Sequence, residues 1–125
     1  MNTPSPELTH RIIGCAMKVH SALGLGLLES AYEECLSFEL SQAGLHFDRQ
    51  KPLPLVYETI KLECGYRVDM LVEHQVIVEV KAVDAFADVH TAQVFTYLKL
   101  SGCKLGLLIN FNVPQLRDGI KRIIL

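Results

Sequence analysis

Tyr66-Arg67-Val68-Asp69-Met70-Leu71-Val72, then Glu73-His74-Gln75, then Val76-Ile77-Val78-Glu79-Val80-Lys81 is the stretch that decides how the chain is read. Its two apolar arms are rich in β-branched residues and predict two strands. The polar residues between them predict a hairpin turn. A hairpin centred on His74 sets Asp69 directly across from Glu79, with Cβ atoms roughly 4.5–5.5 Å apart. Lys81 follows Glu79 by two residues and shares its face, while Val78 and Val80 point the other way into apolar packing. One face then carries two carboxylates and an ammonium. A register slip of one residue would turn Asp69 away.

Two adjacent carboxylates repel, and one takes a proton unless a cation intervenes. Mg²⁺ or Mn²⁺ suits the pair, since these hard ions prefer carboxylate and water oxygens. A neighbouring lysine can orient or deprotonate an attacking water and stabilise charge that develops on a phosphate. The three residues therefore fit phosphodiester hydrolysis. A salt-bridged patch on the strand surface is the alternative reading.

Outward from the hairpin, the period changes. Ser5-Pro6-Glu7 supplies an N-cap, a first-position proline and an early acid. Leu8, Ile12, Cys15, Ala16, Val19 and Leu23 follow as one apolar stripe, which Gly24 ends. A second helix carries Leu28, Tyr32, Cys35, Leu36 and Leu40 and stops at Gly44. Leu53 to Thr59 looks extended, with Pro52 and Pro54 near its start. A third helix is expected from about Asp88 to Leu100, with Gly102 as its stop. Lys104 to Asn110 reads as a strand buried on both faces. Pro114 is expected to open a last helix bearing Leu116, Ile120 and Ile123. The predicted order is α-α-β-β-β-α-β-α, an α/β fold with a mixed sheet flanked by helices.

The 125 residues form one expected domain, 1–125, with half the residues apolar and 21% charged. No apolar run reaches the length of a membrane span. Met1-Asn2-Thr3-Pro4-Ser5-Pro6 has no signal-peptide character, which predicts a cytoplasmic protein without membrane contact. The net charge of −2 argues against a high-affinity nucleic-acid coat protein. It leaves open an enzyme whose acidic ligands are balanced by metal. Lys99, Lys104, Arg117, Lys121 and Arg122 face only Asp118 in the C-terminal stretch. Cys15, Cys35, Cys64 and Cys103 lack zinc spacing and read as buried thiols. His10, His20, His46 and His74 gain no role.

Two further sets of polar residues join the hairpin. Glu29 begins the second helix on the stripe of Tyr32 and Leu36, where it serves either the helix dipole or a metal. His90, Gln93 and Tyr97 make a polar strip on the third helix, either solvated or facing the sheet to bind phosphate or position water.

Asp69, Glu79-Val80-Lys81 and Gln93-Val94-Phe95-Thr96-Tyr97 together resemble the PD-(D/E)xK nuclease superfamily, with Glu29 matching its helix acid. Gly26-Leu27-Leu28-Glu29-Ser30-Ala31-Tyr32 is similar to the signature of the GxxExxY branch. That similarity continues through Gly65-Tyr66-Arg67-Val68-Asp69, His90-Thr91-Ala92-Gln93, Leu107-Leu108-Ile109-Asn110-Phe111 and Gly119-Ile120-Lys121-Arg122. Val68 stands where the superfamily's eponymous proline would be. The resemblance implies a restriction-endonuclease-like core with a Mg²⁺ or Mn²⁺ site. It implies Asp69 and Glu79 as metal ligands, Lys81 as the catalytic lysine, Glu29 as an accessory acid and ligand, and Gln93 and Tyr97 as the polar pair of the helix. The implied activity is metal-dependent cleavage of nucleic acid, with DNA the expected substrate. The competing expectation is a non-catalytic module that binds nucleic acid or protein. A homodimer or larger assembly is compatible with either, since the chain has little beyond a bare core.

Overall fold

The computed structural model describes residues 4–63 and 65–125. Helix α1 spans Pro6–Leu23, and the Ser5 side chain accepts from the Leu8 N–H as its cap. Helix α2 spans Glu29–Gln42. Its end is closed by two bonds, Gly44 N–H to Ser41 C=O and Leu45 N–H to Leu40 C=O. Gly44 has φ +77°, the left-handed conformation this closure requires. Strand β1 (Phe47–Pro52) and a short pair, β2 (Leu55–Tyr57) and β3 (Ile60–Leu62), follow. Then come β4 (Arg67–Val72), β5 (Val76–Lys81), α3 (Asp88–Ser101), β6 (Leu105–Asn110), a 3-10 turn at Leu116–Gly119 and β7 (Ile120–Ile124).

Five strands form one mixed sheet in the order β1-β4-β5-β6-β7. β5 and β6 are parallel, joined through α3, and the other neighbours are antiparallel. The β4–β5 register pairs Met70 with Val78 and Val72 with Val76, which is the predicted hairpin register. Glu73 and His74 turn the hairpin with φ near +54° and +57°, and Gln75 N–H closes it onto Val72 C=O.

Side-chain alternation builds two cores on this sheet. Val76, Val78, Val80, Leu107 and Ile109 pack against Ile12, Ala16 and Val19 of α1 and Tyr32, Leu36 and Leu40 of α2. Ile77, Leu71 and Leu108 pack against Val94 and Leu98 of α3. β6 is buried at all six positions, as its continuous apolar run predicts. Cys15 and Cys103 are buried free thiols and Cys35 is half-buried; Cys64 lies outside the described residues. His20 is a structural residue, its Nε2 2.8 Å from the Val113 carbonyl oxygen. No helix among the described residues is long and apolar enough to cross a membrane.

Two expectations are corrected. The segment expected to be a helix from Pro114 is the 3-10 turn and β7. The spacing of Leu116, Ile120 and Ile123 fits a helix, but an extended chain sends Ile120 and Ile123 to opposite faces of the sheet. Ile120 joins the α1–α2 core and Ile123 the α3 core. Pairing with β6 also satisfies a backbone edge that a helix would leave open. The strand expected at Leu53–Thr59 is displaced as well. The sheet takes the polar segment Phe47–Pro52 instead, and Leu55–Tyr57 pairs only with β3 in a ribbon of its own. An edge strand needs no apolar alternation, so β1 carries no sequence signal of that kind.

Gly119 shows how closely the turn before β7 approaches β6. A Cβ there would overlap the Asn110 carbonyl oxygen, a backbone atom with no freedom to move aside. Gly119→Ala is expected to destabilise the fold by about 1–3 kcal/mol, the range for overpacking. Urea unfolding would measure it, and an unchanged midpoint would contradict this packing.

Candidate active site

The carboxylates predicted to meet do so in a way the ladder alone would not produce. β4–β5 pairing stops at Met70 and Val78. Beyond it, the Asp69 N–H donates to Glu79 Oε2 at 2.7 Å and the Val80 N–H donates to Asp69 Oδ2 at 2.8 Å. Each acid thus occupies a donor on the opposite strand. The strand alternation also breaks here, since Val68 and Leu71 both enter the α3 core although three residues apart.

Glu79 is 4% exposed and Asp69 is half-buried. Burial, and then the Asp69 charge beside it, pushes the Glu79 carboxyl up to about 8. Burial, with the nearby Glu33 charge, likewise raises Asp69. Lys81 and the backbone donors act against these shifts without cancelling them. Lys81 is half-buried and forms no ion pair among the described residues. It stands near both acids while leaving its ammonium uncommitted.

Glu29 reaches the end of β5, where its Oε2 accepts from the Ala82 N–H at 3.2 Å. The residues around it explain its position. Tyr32 is fully buried and stacks on Phe111 with ring centroids 4.6 Å apart. Its hydroxyl donates to the Gly24 carbonyl at 2.7 Å and accepts from the Leu27 N–H at 3.2 Å. Gly26, at φ +97°, donates its N–H to Asn112 Oδ1. Gly26 and Tyr32 thereby shape the turn that starts α2 beside β5, and Glu29 is its first helical residue.

α3 brings Tyr97 against the same region. Burial raises its phenol, and the Glu79 and Asp69 charges add to the effect. Gln93 is exposed and lines, with Gly65, Tyr66, Ala92, Thr96 and Tyr97, a cleft of about 260 Å³. His90 is occupied locally, its Nδ1 accepting from the Ala87 N–H at 3.0 Å.

Four residues without a sequence-assigned role, Glu33, Arg49, Gln50 and Asn110, surround this site. Glu33, one helical turn after Glu29, is 9% exposed. Arg49 pairs with it at 2.9 Å, and the Gln50 amide donates to both of its oxygens at 3.0 and 3.1 Å. Gln50 also donates to Asp69 Oδ1 at 3.3 Å. Asn110, 3% exposed, holds the chain leaving β5: its amide donates to the Val83 carbonyl and its oxygen accepts from the Val83 N–H. The four-residue spacing from Glu29 offered a signal for Glu33. Gln50 had none, because its strand was not legible.

Among the described residues no cluster of three His, Cys, Asp or Glu is arranged to hold an ion. The donor set nonetheless suits a hard divalent ion. Mg²⁺ commonly uses one or two carboxylates and completes its shell with water. A family model described as the PD-(D/E)XK nuclease superfamily matches residues 6–123, and the chain belongs to that superfamily. Nucleases of this superfamily generally use divalent metal ions. No curated protein and no solved structure matches the chain.

The acids make a pH prediction. Folded Glu79 holds its proton to about pH 8, whereas its ordinary value is 4.5. Its contribution to stability is therefore fully present below the ordinary value and is lost as pH rises through the folded one. In chelator, thermal melts from pH 5 to 9 should show falling stability in wild type and a flatter profile in Glu79→Gln. Parallel profiles would contradict the assignment.

Proposed function

We propose that this chain is a metal-dependent nuclease, a single catalytic domain that hydrolyses phosphodiester bonds in DNA in the cytoplasm. The observation that carries this reading is the geometry of buried Glu79 and half-buried Asp69, each bonded to a backbone N–H of the opposite strand, beside a lysine without an ion pair among the described residues. Two neighbouring acids drawn out of water cost free energy, which an apolar pair would not. A cation of charge +2 offsets that cost.

Asp69 and Glu79 would hold Mg²⁺ or Mn²⁺ through the oxygens they do not give to the strands, with Glu29 accepting from a coordinated water. The ion would polarise the phosphate and lower the pKa of its bound water. Lys81 orients the attacking water and stabilises charge on the scissile phosphate. Tyr97 and Gln93 border the cleft through which the nucleic-acid strand would pass. The basic residues Lys121 and Arg122 on β7 add phosphate contacts. The resemblance to the GxxExxY branch in Gly26, Glu29 and Tyr32 supports the same site, because those residues place the helix acid at the end of β5.

The test is incubation with Mg²⁺ or Mn²⁺ and single-stranded, duplex, nicked and branched DNA, with RNA in parallel. Cleavage is expected from wild type and lost in chelator. Lys81→Ala should lower the rate by about 10²-fold or more, the scale of a lost electrostatic donor, while binding Mn²⁺ as wild type does. Mn²⁺ binding with no cleavage of any substrate would instead favour a binding module that keeps the nuclease fold. Asp69→Ala binding Mn²⁺ as tightly as wild type would remove the metal site from the proposal.

A further inference from the structure

Gln50 is the unusual residue of β1. It has φ +51°, a left-handed conformation that a non-glycine residue in a strand rarely adopts. Pairing of β1 with β4 runs on both sides of it, Arg49 with Met70 and Lys51 with Val68, but skips Gln50 and Asp69. The backbone thus gives up a ladder position at the very residue that faces Asp69. Such an outlier points to a function when its side chain does something the regular strand would not.

The side chain does. A primary amide has two donor hydrogens. One is shared by the two Glu33 oxygens at 3.0 and 3.1 Å, and the other is directed at Asp69 Oδ1 at 3.3 Å. The reverse amide orientation would set its oxygen against three carboxylate oxygens. Glu33 is in turn held by Arg49 through Nε at 3.2 Å and Nη2 at 2.9 Å. The chain Arg49–Glu33–Gln50–Asp69 therefore runs from a helix-borne ion pair to the catalytic strand. Asp69 Oδ2 already accepts from the Val80 N–H, so Gln50 fixes the second oxygen and with it the plane of the carboxylate.

An amide is suited to this task. A lysine or arginine at the same place would neutralise Asp69 and compete with a metal ion. Gln50 orients the carboxylate and leaves its charge intact. Arg49 meanwhile pairs with Glu33 through Nε and Nη2, and with Glu34 through Nη1, which holds Glu33 on the amide.

We propose that Gln50 is a positioning residue that presents the Asp69 carboxylate to the divalent ion, with Glu33 and Arg49 as its anchor. This rests on the metal-site reading above. It predicts a divergence between stability and metal affinity. Gln50→Gly relieves the left-handed backbone and so keeps or raises the melting temperature, yet it loses the amide. Mn²⁺ affinity, titrated by calorimetry, should fall about 10–100-fold, as when other outer partners of metal ligands are removed. Gln50→Asn, which tolerates the same backbone but is one methylene too short to span both acids, should show a similar loss. A merely structural role would lower the melting temperature in Gln50→Gly and leave the Mn²⁺ affinity unmoved. Gln50→Gly and Gln50→Asn binding Mn²⁺ as tightly as wild type would overturn the positioning role alone. Wild type that binds no Mn²⁺ would overturn the metal-site reading and the proposal together.

Discussion

Two carboxylates take the place of a ladder pair at the centre of this protein, and much of the surrounding structure serves that substitution. Asp69 accepts from the Val80 N–H and Glu79 from the Asp69 N–H. An ordinary antiparallel pair at these positions would close the strands with carbonyl acceptors. Here the acids keep the strands connected while burial works against their ionisation. Burial raises both acids, and their mutual repulsion raises Glu79 further. The arrangement is poorly suited to a structural salt bridge, which would pair opposite charges and lower carboxyl values.

The rest of the fold brings other polar groups to the same end of the sheet. The parallel β5–β6 pair places Asn110 beside Lys81, and Asn110 ties down Val83. The stacked Tyr32 and Phe111 fix the start of α2, so that Glu29 meets Ala82. These contacts connect three elements distant in sequence. Apolar packing on both faces of β5 and β6 supplies the rigidity, because cores packed at this density do not deform continuously. The polar chain Arg49–Glu33–Gln50 closes the remaining side.

Sequence periodicity revealed the elements whose burial is one-sided or complete. α1 shows a clean stripe, β6 a continuous apolar run, and α3 has its Gly102 stop. The hairpin register was also legible from a turn centred on His74, and the structure adds that Glu73 and His74 make that turn in the left-handed conformation. β1 was not legible. Phe47-Asp48-Arg49-Gln50-Lys51-Pro52 is polar, and an edge strand is selected by its neighbour's open backbone. Nor was β7, since Leu116, Ile120 and Ile123 satisfy a helical spacing as well as an extended one. The choice was made by the unpaired edge of β6 and by the two cores that need Ile120 and Ile123 on opposite faces.

The sequence by itself determined the face that Glu79 and Lys81 share, and its resemblance to the nuclease superfamily singled out Glu29, Asp69, Gln93 and Tyr97 as candidates beside them. The shared face follows from local period, which fixes where side chains point within one element. The tertiary structure alone decided how far each is drawn in. It gave Glu29 the Ala82 N–H, left Gln93 in solvent and set Tyr97 near the acids. It also added Glu33 and Gln50, whose roles come from contacts 16 to 19 residues apart in sequence. Hydrogen bonds over such separations depend on strand order and helix placement, and neither is written in the spacing of any one segment.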